Sequence, residues 1–354
     1  MKGEKRPLAQ PPPPPRVQKS LLQPADSLET LNVRWSYEIP EAVCIGYGNW
    51  EGDGNLKILI ADNDKQLHIL DVEGNMASTL TLPAQFDAIE CGWHQEYGVH
   101  LLGETPKGTK FCVIDRHGKT RWRYSDWLRI RPHWGDLNGD GNDEIVVNEM
   151  GKLVALTAGK KVLWKITQRP FSAIDHVIIP SGGSVQQALI LALSSAIKVY
   201  DQSGKLLRAL QPNSVSSLTA WSYISGAIMD ASGKIQIVIF GLGAGKDAVD
   251  EVLACDLAGN VVWRTVGYIH PLFTGNFFAC EDMNGDGVRE WTFMENPGEL
   301  VFVSPQSEKL ANLSVSKDLE QFLIVPQPDG YGMLVTLQAG IITAYQFERE
   351  ETEG

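Results

Sequence analysis

Asp115-Arg116-His117-Gly118-Lys119-Thr120-Arg121-Trp122 is a short polar turn bearing a glycine, set between two strand-like runs, and it returns along the chain. Copies stand at Asp71-Val-Glu-Gly74-Asn75, Thr157-Ala-Gly159-Lys160, Asp201-Gln-Ser-Gly204-Lys205 and Asp256-Leu-Ala-Gly259-Asn260. The successive glycines lie 44, 41, 45 and 55 residues apart, and a weaker copy, Ser304-Pro-Gln-Ser307-Glu308, follows 48 residues after Gly259. In three copies the next strand carries a tryptophan: Trp122, Trp164 and Trp263.

Between these turns stand short apolar runs, such as 57–61, 187–193 and 235–240, and no long stretch has a helical period. The chain therefore reads as all-β. A repeat of about 45 residues with four short strands matches one blade of a β-propeller, in which each sheet buries its faces against its neighbours. Six repeats fill residues 41 to about 314. One strand precedes them, Val33-Arg34-Trp35-Ser36-Tyr37, and three follow, at 322–325, 332–337 and 341–347. These leftovers make a seventh blade of four strands. Trp35 falls at the outer-strand tryptophan position, so the N-terminal strand is expected to close the ring by pairing with C-terminal strands, leaving no open edge between first and last blades. The expected organisation is a proline-rich disordered tail over 1–30, a seven-bladed propeller over 31–348 and an acidic tail over 349–354.

The chain has 354 residues, a net charge of −12 and a pI near 5.1, which argues against a phosphate-backbone ligand and so against nucleic acid. Residues 1–30 include five consecutive prolines, Pro11 to Pro15, and cannot pack a core. No stretch has transmembrane length and no signal peptide is visible, so a cytoplasmic location is expected. Five cysteines sit singly in apolar runs, as reduced buried thiols do.

Two stretches carry metal-ligand chemistry: Asp136-Leu-Asn138-Gly-Asp140-Gly141-Asn142-Asp143-Glu144, and Asp282-Met-Asn284-Gly-Asp286-Gly287-Val288-Arg289-Glu290. Oxygen-bearing side chains at positions one, three, five and nine, with a glycine at six for the sharp turn, suit a hard cation that takes many oxygen ligands. Position seven, Asn142 or Val288, would give its backbone carbonyl. A plain hairpin needs only two turn residues, and without a cation three crowded carboxylates repel one another. Two structural Ca2+ ions are expected, each in a loop joining the first and second strands of its blade. At the same address blade one has Asn49-Trp-Glu51-Gly-Asp53-Gly54-Asn55-Leu56-Lys57, with a lysine where the ninth ligand should be. Blade five has the shortened Asp230-Ala-Ser232-Gly233-Lys234.

The loop joined to a strand within a blade-length repeat resembles the FG-GAP or VCBS type of repeat found in integrin α-subunit propellers and many bacterial proteins. That resemblance implies structural calcium in the loops, a propeller that binds proteins or glycans, and an extracellular or periplasmic location. It also allows a polysaccharide lyase. The turn-plus-tryptophan pattern also resembles quinoprotein blades, though large aromatics at this position are expected to pack between blades.

No HExxH, no GxSxG and no complete phosphate loop is present. Gly241-Leu-Gly243-Ala-Gly245-Lys246-Asp247 lacks the first glycine and the closing Ser or Thr, and reads as a hairpin loop. One segment is basic and aromatic against the acidic background: residues 121–134, with Trp127 beside Arg129 in a blade-to-blade crossing. Trp and Arg dominate binding energies at interfaces. Trp127 and Arg129, with Phe171, Tyr268 and His270 from neighbouring crossings, form the expected partner-binding face, opposite the calcium loops. The expectation is a non-enzymatic, monomeric, calcium-binding scaffold for a protein partner, with a glycan-binding or glycan-cleaving propeller as the alternative.

Overall fold

The computed structural model describes residues 22–24, 30–95, 98–105, 111–124, 133–149, 152–167, 173–181, 184–193, 196–210, 218–243, 250–268 and 277–348. Seven antiparallel sheets follow one another along the chain, with no helix among the described residues. Blade one comprises Ala42–Gly48, Lys57–Asp62, Gln66–Leu70 and Met76–Thr81. Blade two comprises Ala88–His94, Gly98–Glu104, Phe111–Asp115 and Thr120–Tyr124. Blade three comprises His133–Gly135, Glu144–Glu149, Lys152–Thr157 and Val162–Thr167. Blade four runs through Ala173–Ser181, Ser184–Ala192, Ile197–Asp201 and Leu206–Leu210, and blade five through Leu218–Ile228, Ile235–Gly243, Glu251–Cys255 and Val261–Val266. Blade six is built from Ala279–Glu281, Glu290–Asn296, Glu299–Val303 and Glu308–Ser314. Blade seven takes Gln321–Pro326, Gly332–Gln338 and Ile341–Phe347 from the end of the chain and its outer strand, Leu31–Glu38, from the beginning. The ring is closed as expected.

The second strands read as unbroken apolar runs because each face of a blade meets a different neighbour. In blade one, Ile58 and Ile60 join a cluster with Val325, Met333 and Val335 of blade seven, while Leu59 and Ala61 join one with Leu101, Cys112 and Ile114 of blade two. In blade five, Ile237 and Ile239 face blade four and Val238 and Phe240 face blade six. Period-two alternation thus distributes side chains between two cores instead of between core and water. The first strands line the middle of the ring, where Gln321 of blade seven accepts from the Ile45 N–H at 2.8 Å and donates to the Asp87 carbonyl at 3.2 Å. One side chain joins three blades there.

The repeated turn owes its sequence to two demands. Its opening side chain caps it: Asp71 Oδ1 accepts from the N–H groups of Glu73 and Asn75 at 3.0 and 2.8 Å, and Asp115, Asp201 and Asp256 do the same in their copies. Ser304 Oγ fills this role in blade six. The fourth position takes positive φ, at Gly74, Gly118, Gly204 and Gly259. In blade three that position is Lys160, with φ 67°, and not Gly159 as the sequence pattern aligned it. Counted from the strained residue, the steps from Gly118 to Lys160 and on to Gly204 are 42 and 44 residues.

The turn also receives the outer-strand tryptophan of the preceding blade. Trp35 Nε1 donates to the Val72 carbonyl at 3.0 Å and Trp164 Nε1 to that of Gln202 at 2.8 Å, while Trp122 Nε1 donates to that of Ala158. A Cβ on Gly74 would stand 2.6 Å from the Trp35 ring, so the glycine there makes room as well as the turn. Blade four has Arg208 at the equivalent position, and its Nη1 donates to the Leu257 carbonyl at 3.1 Å. An arginine has taken over the indole's bond. These tryptophans therefore lie between blades. Trp35 both closes the ring and docks on blade one, so Trp35→Ala should cost about 2 kcal/mol, and Trp35→Phe, which keeps the ring but strands the Val72 carbonyl, about 1 kcal/mol. Urea unfolding checks both; variants as stable as the parent would contradict this docking role.

Outside the seven blades, Gln23–Pro24 runs parallel to the outer strand of blade six, Gln23 opposite Glu308 and Pro24 opposite Lys309. Leu22 packs against the blade-six core cluster.

Candidate metal loops and the blade junctions that carry them

The two acidic loops lie at the expected address. Residues 136–143 connect His133–Gly135 to Glu144–Glu149, and 282–289 connect Ala279–Glu281 to Glu290–Asn296. Both are shaped alike. Asp136 Oδ1 accepts from the Gly139 N–H at 2.7 Å and its Oδ2 from Gly141 at 2.9 Å; Asp282 does the same for Gly285 at 2.6 Å and Gly287 at 2.8 Å. Asn138 and Asn284 accept from the N–H groups of Asp140 and Asp286, which in turn accept from Asn142 and Val288. Glycines at positions four and six hold φ between 75° and 83°. The blade-one loop bends in the same way, with Gly52 and Gly54 at 75° and 91° and Gly54 N–H donating to Asn49 at 3.1 Å. The backbone conformation is thus common to three blades, and ninth-position chemistry separates them.

Glu144 and Glu290 are each 1 % exposed and turn back into their loops, accepting from the N–H groups of Leu137 at 3.0 Å and Met283 at 2.8 Å. Burial pushes Glu144 up to about 7; the Leu137 N–H works against this, and the charges of Asp140 and Asp136 add to it. At the centre of the blade-three loop stands the Asn138 amide, its Nδ2 3.0 Å from Asp140 Oδ2 and 3.2 Å from Glu144 Oε1. The groups at positions one, three, five, seven and nine, Asp136, Asn138, Asp140, the Asn142 carbonyl and Glu144, all carry oxygen donors. Blade six has the corresponding Asp282, Asn284, Asp286, Glu290 and Val288 carbonyl. This donor chemistry fits a hard cation. Among the described residues no three His, Cys, Asp or Glu side chains are gathered as a metal cage, the carboxylates of these two loops included. In the blade-one loop the Asn55 N–H and amide hold Asp53 below its ordinary value, and the Lys57 ammonium adds to that.

Positions seven and eight do a different job, which the motif alone does not display. Asp143 N–H donates to the Trp93 carbonyl at 2.9 Å, its Oδ2 accepts from the Trp93 N–H at 2.6 Å and from Trp134 Nε1 at 3.0 Å, and Asn142 Oδ1 accepts from the Gln95 N–H at 2.6 Å. In blade six the Arg289 N–H donates to the Met229 carbonyl at 2.8 Å. Each loop is thereby fastened to the preceding blade. Asn142 thus spends its side chain on the blade junction, leaving its carbonyl as the donor available to a cation. Trp93, 44 % exposed, forms the shoulder of the blade-three loop.

Behind Trp134 lies His100, fully buried, its ring 4.8 Å from the indole and edge-on to it. Nδ1–H donates to the Gly98 carbonyl at 2.9 Å and Nε2 has no partner among the described residues. Burial pushes His100 down to about 4, the Gly98 carbonyl opposing and His94 adding to the shift. A depressed histidine favours the folded state above its unfolded value near 6.5 and penalises it as pH falls from there toward 4. Glu144, raised instead, works the opposite way between 7 and 4.5, so the comparison must isolate the histidine. Relative to His100→Gln, the parent should lose on the order of 3 kcal/mol between pH 7 and pH 4. Urea titrations of both proteins across that range test it; parallel pH profiles would refute the assignment.

Of the expected partner-face residues, Trp127, Arg129, Phe171 and His270 lie outside the described residues. Tyr268 is half-buried against the core cluster of blades five and six, and its N–H donates to the Met294 carbonyl at 3.0 Å.

No family model matches the chain, and no curated protein matches it in sequence. Solved structures match in fold. The crystal structure of BamB from Moraxella catarrhalis superposes with a TM-score of 0.50 at 14 % identity, over 89 % of this chain and 88 % of that one. BBS1N, crystallised in complex with ARL6DN and soaked with lead, superposes at 0.61 and 14 % identity, over 91 % of this chain and 98 % of that one. A mercury-soaked crystal of the same complex gives 0.60. At this identity the likeness is one of fold.

Proposed function

We propose that this chain is a non-enzymatic scaffold for a protein partner, a seven-bladed propeller of FG-GAP or VCBS type whose blades three and six are each rigidified by one calcium ion. The observation that carries the calcium half is the pair of buried ninth-position glutamates, Glu144 and Glu290, turned into loops that already hold two further acidic side chains. Carboxylates crowded in this way repel one another, and a cation with oxygen ligands offsets that repulsion. The scaffold half is supported by the fold, rigid and ringed with loops, and by the neighbour BBS1N having been crystallised with a protein bound. Trp127, Arg129, Phe171, Tyr268 and His270 are the residues assigned to the partner face. The test is affinity capture with the full chain in calcium and in chelator, each captured protein then being titrated as a purified species against the chain. A protein that binds directly, with weaker binding in chelator, supports the assignment. Saccharide-bearing material alone, or no direct protein binder, contradicts it.

A further inference from the structure

Among the described residues, the outer strand of every blade but one is the last strand of its sheet. Blade six differs: Gln23–Pro24 adds a fifth strand, parallel to Glu308–Ser314, and Leu22 beside it packs against the core cluster that contains Phe302, Ala311 and Phe347. This is an edge that accepts an extended peptide, with one apolar side chain as anchor. Among the described residues the resident segment pairs only with Glu308 and Lys309 of the seven-residue strand, Pro24 has no N–H to give the ladder, and no described strand lies beside 310–314. A longer strand entering parallel over 308–314 would gain more backbone bonds than the tail gives up.

We propose that the outer edge of blade six is a β-augmentation site for an extended peptide of a partner protein, with a leucine-like anchor in the place of Leu22, and that residues 22–24 occupy it in cis as a displaceable cover. The proposal rests on the scaffold reading for its partner, but not for its test, because the probe is the chain's own peptide. A fluorescent peptide of residues 17–29 is titrated against the full-length chain and against full-length Leu22→Asp, in which the cover is released. Leu22 lies outside the closed ring, so Leu22→Asp should keep the fold and lose only the stability that docking of 22–24 contributes; Leu22→Gly serves as a second release variant. The expected result is at least tenfold tighter binding to the released chains than to the parent, with hydrogen exchange slowed at residues 308–314. Peptide carrying Leu22→Asp should bind neither chain. The tail acts in cis at millimolar effective concentration, which sets the size of that difference. Equal binding to both chains, no binding to the released chains, or protection elsewhere would overturn the proposal. So would a concentration-dependent dimer of the parent chain, which would give the edge to a second copy.

Discussion

Alanine at Gly92 is expected to cost about 3 kcal/mol, a large effect for a single methyl group. Gly92 has an ordinary strand backbone, so any residue could adopt its φ and ψ. Space forbids it: a Cβ there would lie 2.1 Å from Trp134 Nε1 and 2.3 Å from the ring carbons Cε2 and Cζ2. The indole cannot step aside, because it is buried, packs edge-on against His100 and holds Asp143 Oδ2 through its Nε1. Displacing it loosens the same bonds that fasten the blade-three loop to blade two, so the variant's response to calcium should weaken with its stability. Gly98→Ala, in the same hairpin, is the control. Its φ is +66° with nothing among the described residues within 4 Å of a new Cβ, so it should lose only about 1 kcal/mol, from backbone strain. Denaturant melts of the pair separate the two causes. If Gly92→Ala proved no more costly than Gly98→Ala, the close packing at this junction would be wrong.

The second large effect is that of calcium on stability. A ligand bound only by the folded state contributes about 2.7 kcal/mol when its concentration is a hundred times its Kd, and the two loops are far enough apart in the ring to act separately. Stripping calcium should therefore lower the melting temperature by several degrees. Asp140→Ala and Asp286→Ala should each remove about half of that difference, and the double variant all of it. Glu290→Lys is more discriminating, since it rebuilds in blade six the ninth position that blade one carries as Lys57. That chain should fold, with the ammonium standing in for the cation's charge, yet its blade-six loop should no longer respond to calcium. An unchanged melting temperature in calcium and chelator would sink the metal assignment for both loops.

The ring was legible because its signals are local. Turn residues, apolar runs and their spacing gave seven blades, and Trp35 standing alone before the first repeat pointed to the closing strand that pairs with Ile341–Phe347. The acidic loops stood out because a tight turn does not need their side chains. What stayed hidden depends on contacts between blades. Lys160 takes the strained turn position although Gly159 beside it looks like the better candidate, and the cap from Thr157 Oγ1 to the Lys161 N–H is the clue that sets the frame. Arg208 replaces a tryptophan because only one N–H aimed at the next blade's carbonyl is required. Asp143 and Arg289 looked like spacers between ligands, yet their N–H groups tie each loop to its neighbour. The strand at Gln23–Pro24 carried no signal in a proline-rich stretch, since its two-residue ladder is too short to impose a pattern.

Calorimetric titration of calcium into the chelator-stripped full chain is the most direct test of the central claim. Two ions per chain are expected for the parent, one each for Asp140→Ala and Asp286→Ala, and none for the double variant. Absence of binding heat in the parent, or a stoichiometry that neither single variant changes, would contradict calcium in blades three and six.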